Sequence, residues 1–322
     1  MHTSMTDGKT QSSGHLEGTA PAPGRVGLLT CSMANDLDLF ALLAASIDRH
    51  AAPGVLHQVV VPGSDLGAFR QFETENRTII AQEDILPEPI RKLPRWLKHL
   101  SFLKAGFRRP IYLRPNLAVV RGWMLQQILK IEMTRQNDAD AVMHIDSDVC
   151  FFRRFDHADG FRDGKVRYFR VTGPTANPMH MPWLNGSAKF LGLDQAPDDQ
   201  AHYIENCVMW SRDVTRAMVD RLEATQGKPL HEVLFSAETM SEYYLYGVYA
   251  DAFAQESNLA VDPVSFCNSY WPADEQGPVD FDALRARLDP KHCAMAVQST
   301  HNLDITARAA LYKRAETELD LS

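Results

Sequence analysis

Apolar positions first gather in Val26-Gly-Leu-Leu-Thr30, a short run that reads as a buried strand. Residues 36–49 then place Leu39, Phe40, Leu42, Leu43 and Ile47 at helical spacing. Residues 56–61 form a second apolar strand closed by Pro62-Gly63, and residues 77–81 a third. Residues 122–135 read as an amphipathic helix. Residues 139–145 then read as a strand buried on both faces, to judge by Ala141, Val142, Met143 and Ile145. Strands alternating with helices predict βαβ units and a mainly parallel sheet. Beyond Phe155 the pattern is irregular, with Pro174, Pro178, Pro182 and Gly186. Residues 213–225 and 238–253 read as helices, and 294–298 as a last strand. Residues 1–24 carry no periodicity and read as a disordered tail. The expected organisation is a nucleotide-binding α/β half over 25–155 and a mixed half of the same domain over 156–322.

Charge and cysteine usage narrow the classes. The net charge is −8, from 33 Lys+Arg against 41 Asp+Glu, which argues against nucleic acid as a partner. The five cysteines are odd in number, far apart and without a C-x-x-C pair, so reduced thiols are expected and a zinc ribbon or disulfide framework is not. No apolar run approaches the ~20 residues of a membrane span, and the N-terminal segment has no apolar signal core, so a soluble, cytoplasmic chain is expected. Residues 89–131 contain no acidic residue but carry Arg91, Lys92, Arg95, Lys98, Lys104, Arg108, Arg109, Arg114, Arg121 and Lys130. Trp96, Phe102, Phe107 and Tyr112 are interleaved with them. The stretch reads either as a surface for phosphates or an anionic membrane, or as a solvated basic helix and loop.

Candidate chemistry concentrates where the buried strand ends, in Ile145-Asp-Ser-Asp-Val149. Ligands of open α/β sheets bind at the carboxyl edge of the strands. Two residues apart in extended chain, Asp146 and Asp148 would face the same way. A hard divalent cation relieves their repulsion and fills its shell with phosphate oxygens and water. Asp36/Asp38, Asp138/Asp140 and Asp280/Asp282 share the spacing but close no buried strand, and there aspartate caps and solvates.

This segment resembles the D-x-D motif of the GT-A class of nucleotide-sugar glycosyltransferases. The first βα unit, the helix with Gln126, Gln127 and Lys130, the Glu242-Tyr-Tyr-Leu-Tyr-Gly247 segment and Gln298-Ser-Thr-His301 extend the likeness over roughly residues 26–301. The whole is similar to a poorly characterised bacterial glycosyltransferase-like group. The resemblance implies a GT-A-like, Rossmann-like α/β fold and Mn²⁺ or Mg²⁺ held by Asp146, Asp148 and His301. It implies a nucleotide-sugar donor, UDP-sugar first, and a glycan or lipid-linked glycan acceptor in envelope polysaccharide synthesis. Donor contacts would come from Thr30, Cys31, Ser32, Asp36, Gln126, Lys130, Asp146 and Ser147. Asp36 serves equally as a helix cap, and Lys130 equally as a solvated lysine. Asp304 stands where some retaining families have glycine after their histidine, which leaves the stereochemical outcome open.

An inverting transfer needs a general base. Glu242 is the first candidate and Glu238, four residues earlier, the second, with Asp251 and Glu205 as competitors. Trp183, Asn185, His180 and Tyr243 are candidate acceptor contacts, the tyrosines equally candidates for the core. Two rival readings remain: a phosphatase of the haloacid dehalogenase type with Asp146 as nucleophile and Asp148 as acid/base, and a binding protein for nucleotide or glycan without turnover. Against the phosphatase, Cys150 replaces the usual Thr or Val and the motif lies far into the chain.

Overall fold

The computed structural model describes residues 24–87, 89–92, 111–173, 178–237, 240–254, 259–270, 279–299, 301 and 303–319. The strands used below are β1 (Val26–Cys31), β2 (Leu56–Val61), β3 (Arg77–Ala81), β4 (Ala141–His144), β5 (Val149–Phe151), β6 (Val208–Ser211), β7 (Cys267–Tyr270) and β8 (Ala294–Val297). The helices are α1 (Leu37–His50), α2 (Gly122–Arg135), α3 (Met181–Phe190), α4 (Arg212–Gln226), α5 (Leu230–Ser236), α6 (Glu242–Phe253) and α7 (Ile305–Glu318).

The protein is α/β, with a mainly parallel central sheet flanked by helices. Its order is β6-β4-β1-β2-β3. β1, β2, β3 and β4 run parallel, and β6 adds antiparallel to β4. Every residue of β4 and β6 is buried, as expected of strands covered on both faces. The chain leaves β4 through a tight turn, in which the Val149 amide donates to the Asp146 carbonyl at 3.3 Å. It then enters β5, which pairs antiparallel with β8, itself parallel to β7. The aspartate pair therefore sits on a switch between two sheets. It lies on a turn and not on extended chain, so the two carboxylates have separate surroundings.

Five elements depart from the sequence expectation. The proline-bearing segment around Trp183 is the helix α3, with Pro182 in its first turn, where the missing N–H removes no helical bond. The helix expected over 238–253 is α6, which begins at Glu242; residues 238 and 239 lie outside the described residues. β6, α5 and α7 were not anticipated. Helix α6 packs against Tyr203 through Gly247, where a Cβ would come within 2.3 Å of the ring. Of the basic stretch, residues 93–110, with Trp96, Phe102, Phe107 and five of the bases, lie outside the described residues. The described flanks are three antiparallel strands, Arg91–Lys92, Ile111–Leu113 and Val119–Arg121.

A buried polar chain crosses the sheet at Thr30. Arg77 donates from Nε to His57 Nδ1 at 3.0 Å, so that nitrogen carries no proton and the other donates to Thr30 Oγ1, also at 3.0 Å. Burial and then Arg77 hold His57 well below its ordinary 6.5. Its depressed value contributes stability above pH 6.5, lost as the unfolded chain takes up a proton at lower pH. A His57→Gln variant keeps both bonds without titrating. Between about pH 7.5 and about pH 5.5 its urea-unfolding stability is expected to fall by about 1.4 kcal/mol less than that of the parent. Parallel pH dependence would contradict the buried neutral imidazole.

Candidate active site

The carboxyl ends of β1 and β4, the first turns of α2 and the residues after β8 enclose a cavity of about 360 Å³. Cys31, Ser32 and Asp36 wall one side, Trp123 and Gln126 another, and Asp146, Ser147 and Asp148 the floor, with Gln298 and Ser299 beside them. Ser147 donates from its hydroxyl to that of Ser32 at 2.8 Å, which ties the two strand ends together.

The two aspartates differ. Asp146 keeps 41% of its side chain exposed and lies 3.5 Å from the ammonium of Lys130. Asp148 is buried. Its Oδ2 accepts the Ser299 amide at 2.7 Å, while its Oδ1 is buried with no hydrogen-bond partner. Burial first, and then the charge of Asp146, push the Asp148 carboxyl up to about 7. Tyr312 on α7 donates to the Asp148 carbonyl at 2.5 Å. Arg308, buried one turn earlier, bonds the carbonyls of Val297 and Gln298. Helix α7 thus fastens both the turn and the end of β8.

Behind the floor lies a buried ionic cluster. Lys130 donates to Tyr243 Oη at 2.9 Å and stands 3.3 Å from Glu242 Oε1. Burial alone would lower its value, but Asp146, Tyr243 and Glu242 hold it well above the usual lysine range, so the ammonium stays charged. The Glu242 carboxyl is raised by burial, against the pull of Lys130. Its amide donates to Gln127 Oε1 at 3.0 Å. Burial also lifts the Cys31 thiol to about 12, which keeps it protonated.

Of the residues singled out in the sequence, Cys31, Ser32, Asp36, Gln126, Asp146, Ser147 and Asp148 meet in the cavity. Thr30 does not: its hydroxyl is buried and taken by His57 on the neighbouring strand. Lys130, Glu242 and Tyr243 form the layer behind the wall. Glu242 is buried against a permanent cation, an arrangement suited to holding Lys130 in place. Trp183 packs on Trp123 at 5.8 Å between ring centroids, and Asn185 is exposed on α3. His301 rests edge-on against Tyr270 at 5.5 Å. Among the described residues no three His, Cys, Asp or Glu side chains form a metal-holding group. Glu238 lies outside the described residues. Sequence reasoning missed Trp123, which lies one turn before Gln126 on the same helix face, a spacing that signals it. It also missed the Ser299 amide, Tyr312 and Arg308. Ser299 acts through its backbone and leaves no side-chain signal.

Fold and site together define an α/β protein with an acidic-floored pocket at the carboxyl edge of a mainly parallel sheet. Residues 27–310 match the model of a family of unknown function (DUF6492), and the chain belongs to that family. No curated protein matches the chain. Among solved structures, the crystal structure of mouse xyloside xylosyltransferase 1 in its apo form is similar, with a TM-score of 0.43 and 11% identity. The match covers 87% of this chain and 100% of that one. Among the described residues no helix is long and apolar enough to cross a membrane.

Proposed function

We propose that the chain is a cation-dependent glycosyltransferase of the GT-A class, which holds a nucleoside diphosphate sugar in this cavity and passes the sugar to a glycan acceptor. The observation that carries this reading is Asp148 Oδ1, a buried carboxylate oxygen without a donor, next to the exposed carboxylate of Asp146. A buried, unpaired anion is costly, and a cation or a proton relieves it. The two carboxylates suit Mg²⁺ or Mn²⁺, which take few protein ligands and complete their shells with water and phosphate oxygens. Asp146 and Asp148 would hold the ion, which supplies Lewis acidity to the departing diphosphate.

The rest is work for the chain's own residues. Lys130 fixes the Asp146 carboxylate and places a permanent positive charge beneath the diphosphate end of the cavity, and Glu242 fixes Lys130. Cys31, Ser32 and Asp36 flank the space for the nucleoside, and Gln126 offers an amide to the sugar or the base. A UDP-sugar as donor and an envelope glycan or lipid-linked glycan as acceptor, met through the basic segment at a membrane face, are supported by the resemblance and the charge run.

A thermal-shift panel of UDP, GDP, CDP, CMP and ADP, each with and without Mn²⁺, tests the donor site. A ligand at ~100 times its Kd stabilises by about 2.7 kcal/mol, a shift of a few degrees. One nucleotide is expected to shift the transition only when Mn²⁺ is present. No shift with any of them would overturn the reading, and turnover of simple phosphate esters would replace it with the phosphatase.

A further inference from the structure

A row of rings leads away from the cavity. Trp123 lines the cavity, and Trp183 on α3 lies 5.8 Å from it, centroid to centroid. The ring of His180 stacks on Trp183 at 4.8 Å, and His202 stacks on His180 at 5.4 Å with the planes 11° apart. All four side chains are half-buried. Beneath the row, α3 packs on α6, which supplies Tyr244. The Tyr244 hydroxyl stands 3.2 Å from His180 Nδ1 and 3.3 Å from His202 Nδ1.

That bridge fixes the chemistry of the two imidazoles. A phenol has one proton, so it donates to one Nδ1 and accepts from the other. The two neutral rings therefore hold opposite tautomers: one Nε2 carries a hydrogen and the other a lone pair. Burial, with His202 beside it in the case of His180, keeps both below the ordinary histidine value, in keeping with neutral rings.

We infer that Trp123, Trp183, His180 and His202 form a saccharide-binding platform continuous with the cavity, with Tyr244 setting its donor and acceptor polarity. Because the rings stack on one another, the row presents their edges: saccharide C–H groups pack against the indole rims, and saccharide hydroxyls, which both donate and accept, match one imidazole of each tautomer. A wholly apolar ligand would leave the Nε2 of His180 desolvated and unpaired. Naming the bound saccharide as the acceptor rests on the transferase reading; the platform itself does not.

The test is a fluorescence titration of the full chain with the methyl glycosides of glucose, galactose, mannose, xylose and N-acetylglucosamine, up to tens of millimolar, without nucleotide. At least one glycoside is expected to give a saturable change in tryptophan emission that is lost in Trp183→Ala. Tyr244→Phe removes only the bridging hydroxyl and is expected to weaken binding roughly threefold to tenfold in a protein that still unfolds in one cooperative transition. It carries the test if Trp183→Ala does not fold. No saturation by any glycoside, or equal binding by wild type and Tyr244→Phe, would overturn the platform. Glycoside binding that persists while every nucleotide fails would sink the transferase and leave the platform standing.

Discussion

Lys130→Met is expected to destabilise the protein by about 3–5 kcal/mol in urea unfolding, because it leaves buried carboxylate without its cation. Lys130 keeps only 5% of its side chain exposed, as does Glu242, whose Oε1 lies 3.3 Å away. Asp146 is better placed to tolerate the loss, since 41% of its side chain reaches solvent. Most of the penalty therefore belongs to Glu242. The double variant Lys130→Met/Glu242→Gln, neutral at both positions, is expected to recover most of the lost stability. A double-mutant cycle separates this coupling from lost packing. A single-variant cost below about 1 kcal/mol would mean that Glu242 adopts a protonated or hydrated arrangement, and that Lys130 is not the fixed charge on which the donor site is built.

Asp148→Asn is expected to abolish the Mn²⁺-dependent nucleotide shift while making the metal-free protein more stable, by about 1–3 kcal/mol at neutral pH and above. The amide is close in shape and keeps an oxygen for the Ser299 N–H. It removes a buried charge that has one unpartnered oxygen and a like charge next to it. Stability and ligand binding then move in opposite directions, which separates a binding carboxylate from a structural one. An Asp148→Asn protein that is less stable than wild type and still gives the Mn²⁺-dependent shift would show that the carboxylate serves the fold.

The first half of the chain was legible because β1 and β4 are buried on both faces, and the continuous apolar runs Val26-Gly-Leu-Leu and Ala141-Val-Met locate them directly. The cavity floor was legible for the same reason, since polar residues that close a buried strand must lie at its edge. The second half was less so. β6 has four residues, too few for a period to show. In α7 the buried residues are Arg308, Tyr312 and Ala315, a set with little hydrophobic contrast. Pro182 looked like a breaker but occupies the one turn where proline costs nothing. The four-residue spacing of Glu238 and Glu242 suggested a shared helix face, yet α6 begins only at Glu242. The burial of Glu242 against Lys130 is a tertiary fact, set by the packing of α6 on α2.

The central claim is that the cavity takes a nucleoside diphosphate through a cation held by Asp146 and Asp148. Titration calorimetry of UDP into the full chain, once with saturating Mn²⁺ and once with a chelator, tests it most directly. The account predicts one-to-one binding in Mn²⁺ and none in chelator. Equal binding in the two conditions, or none in either, would contradict it.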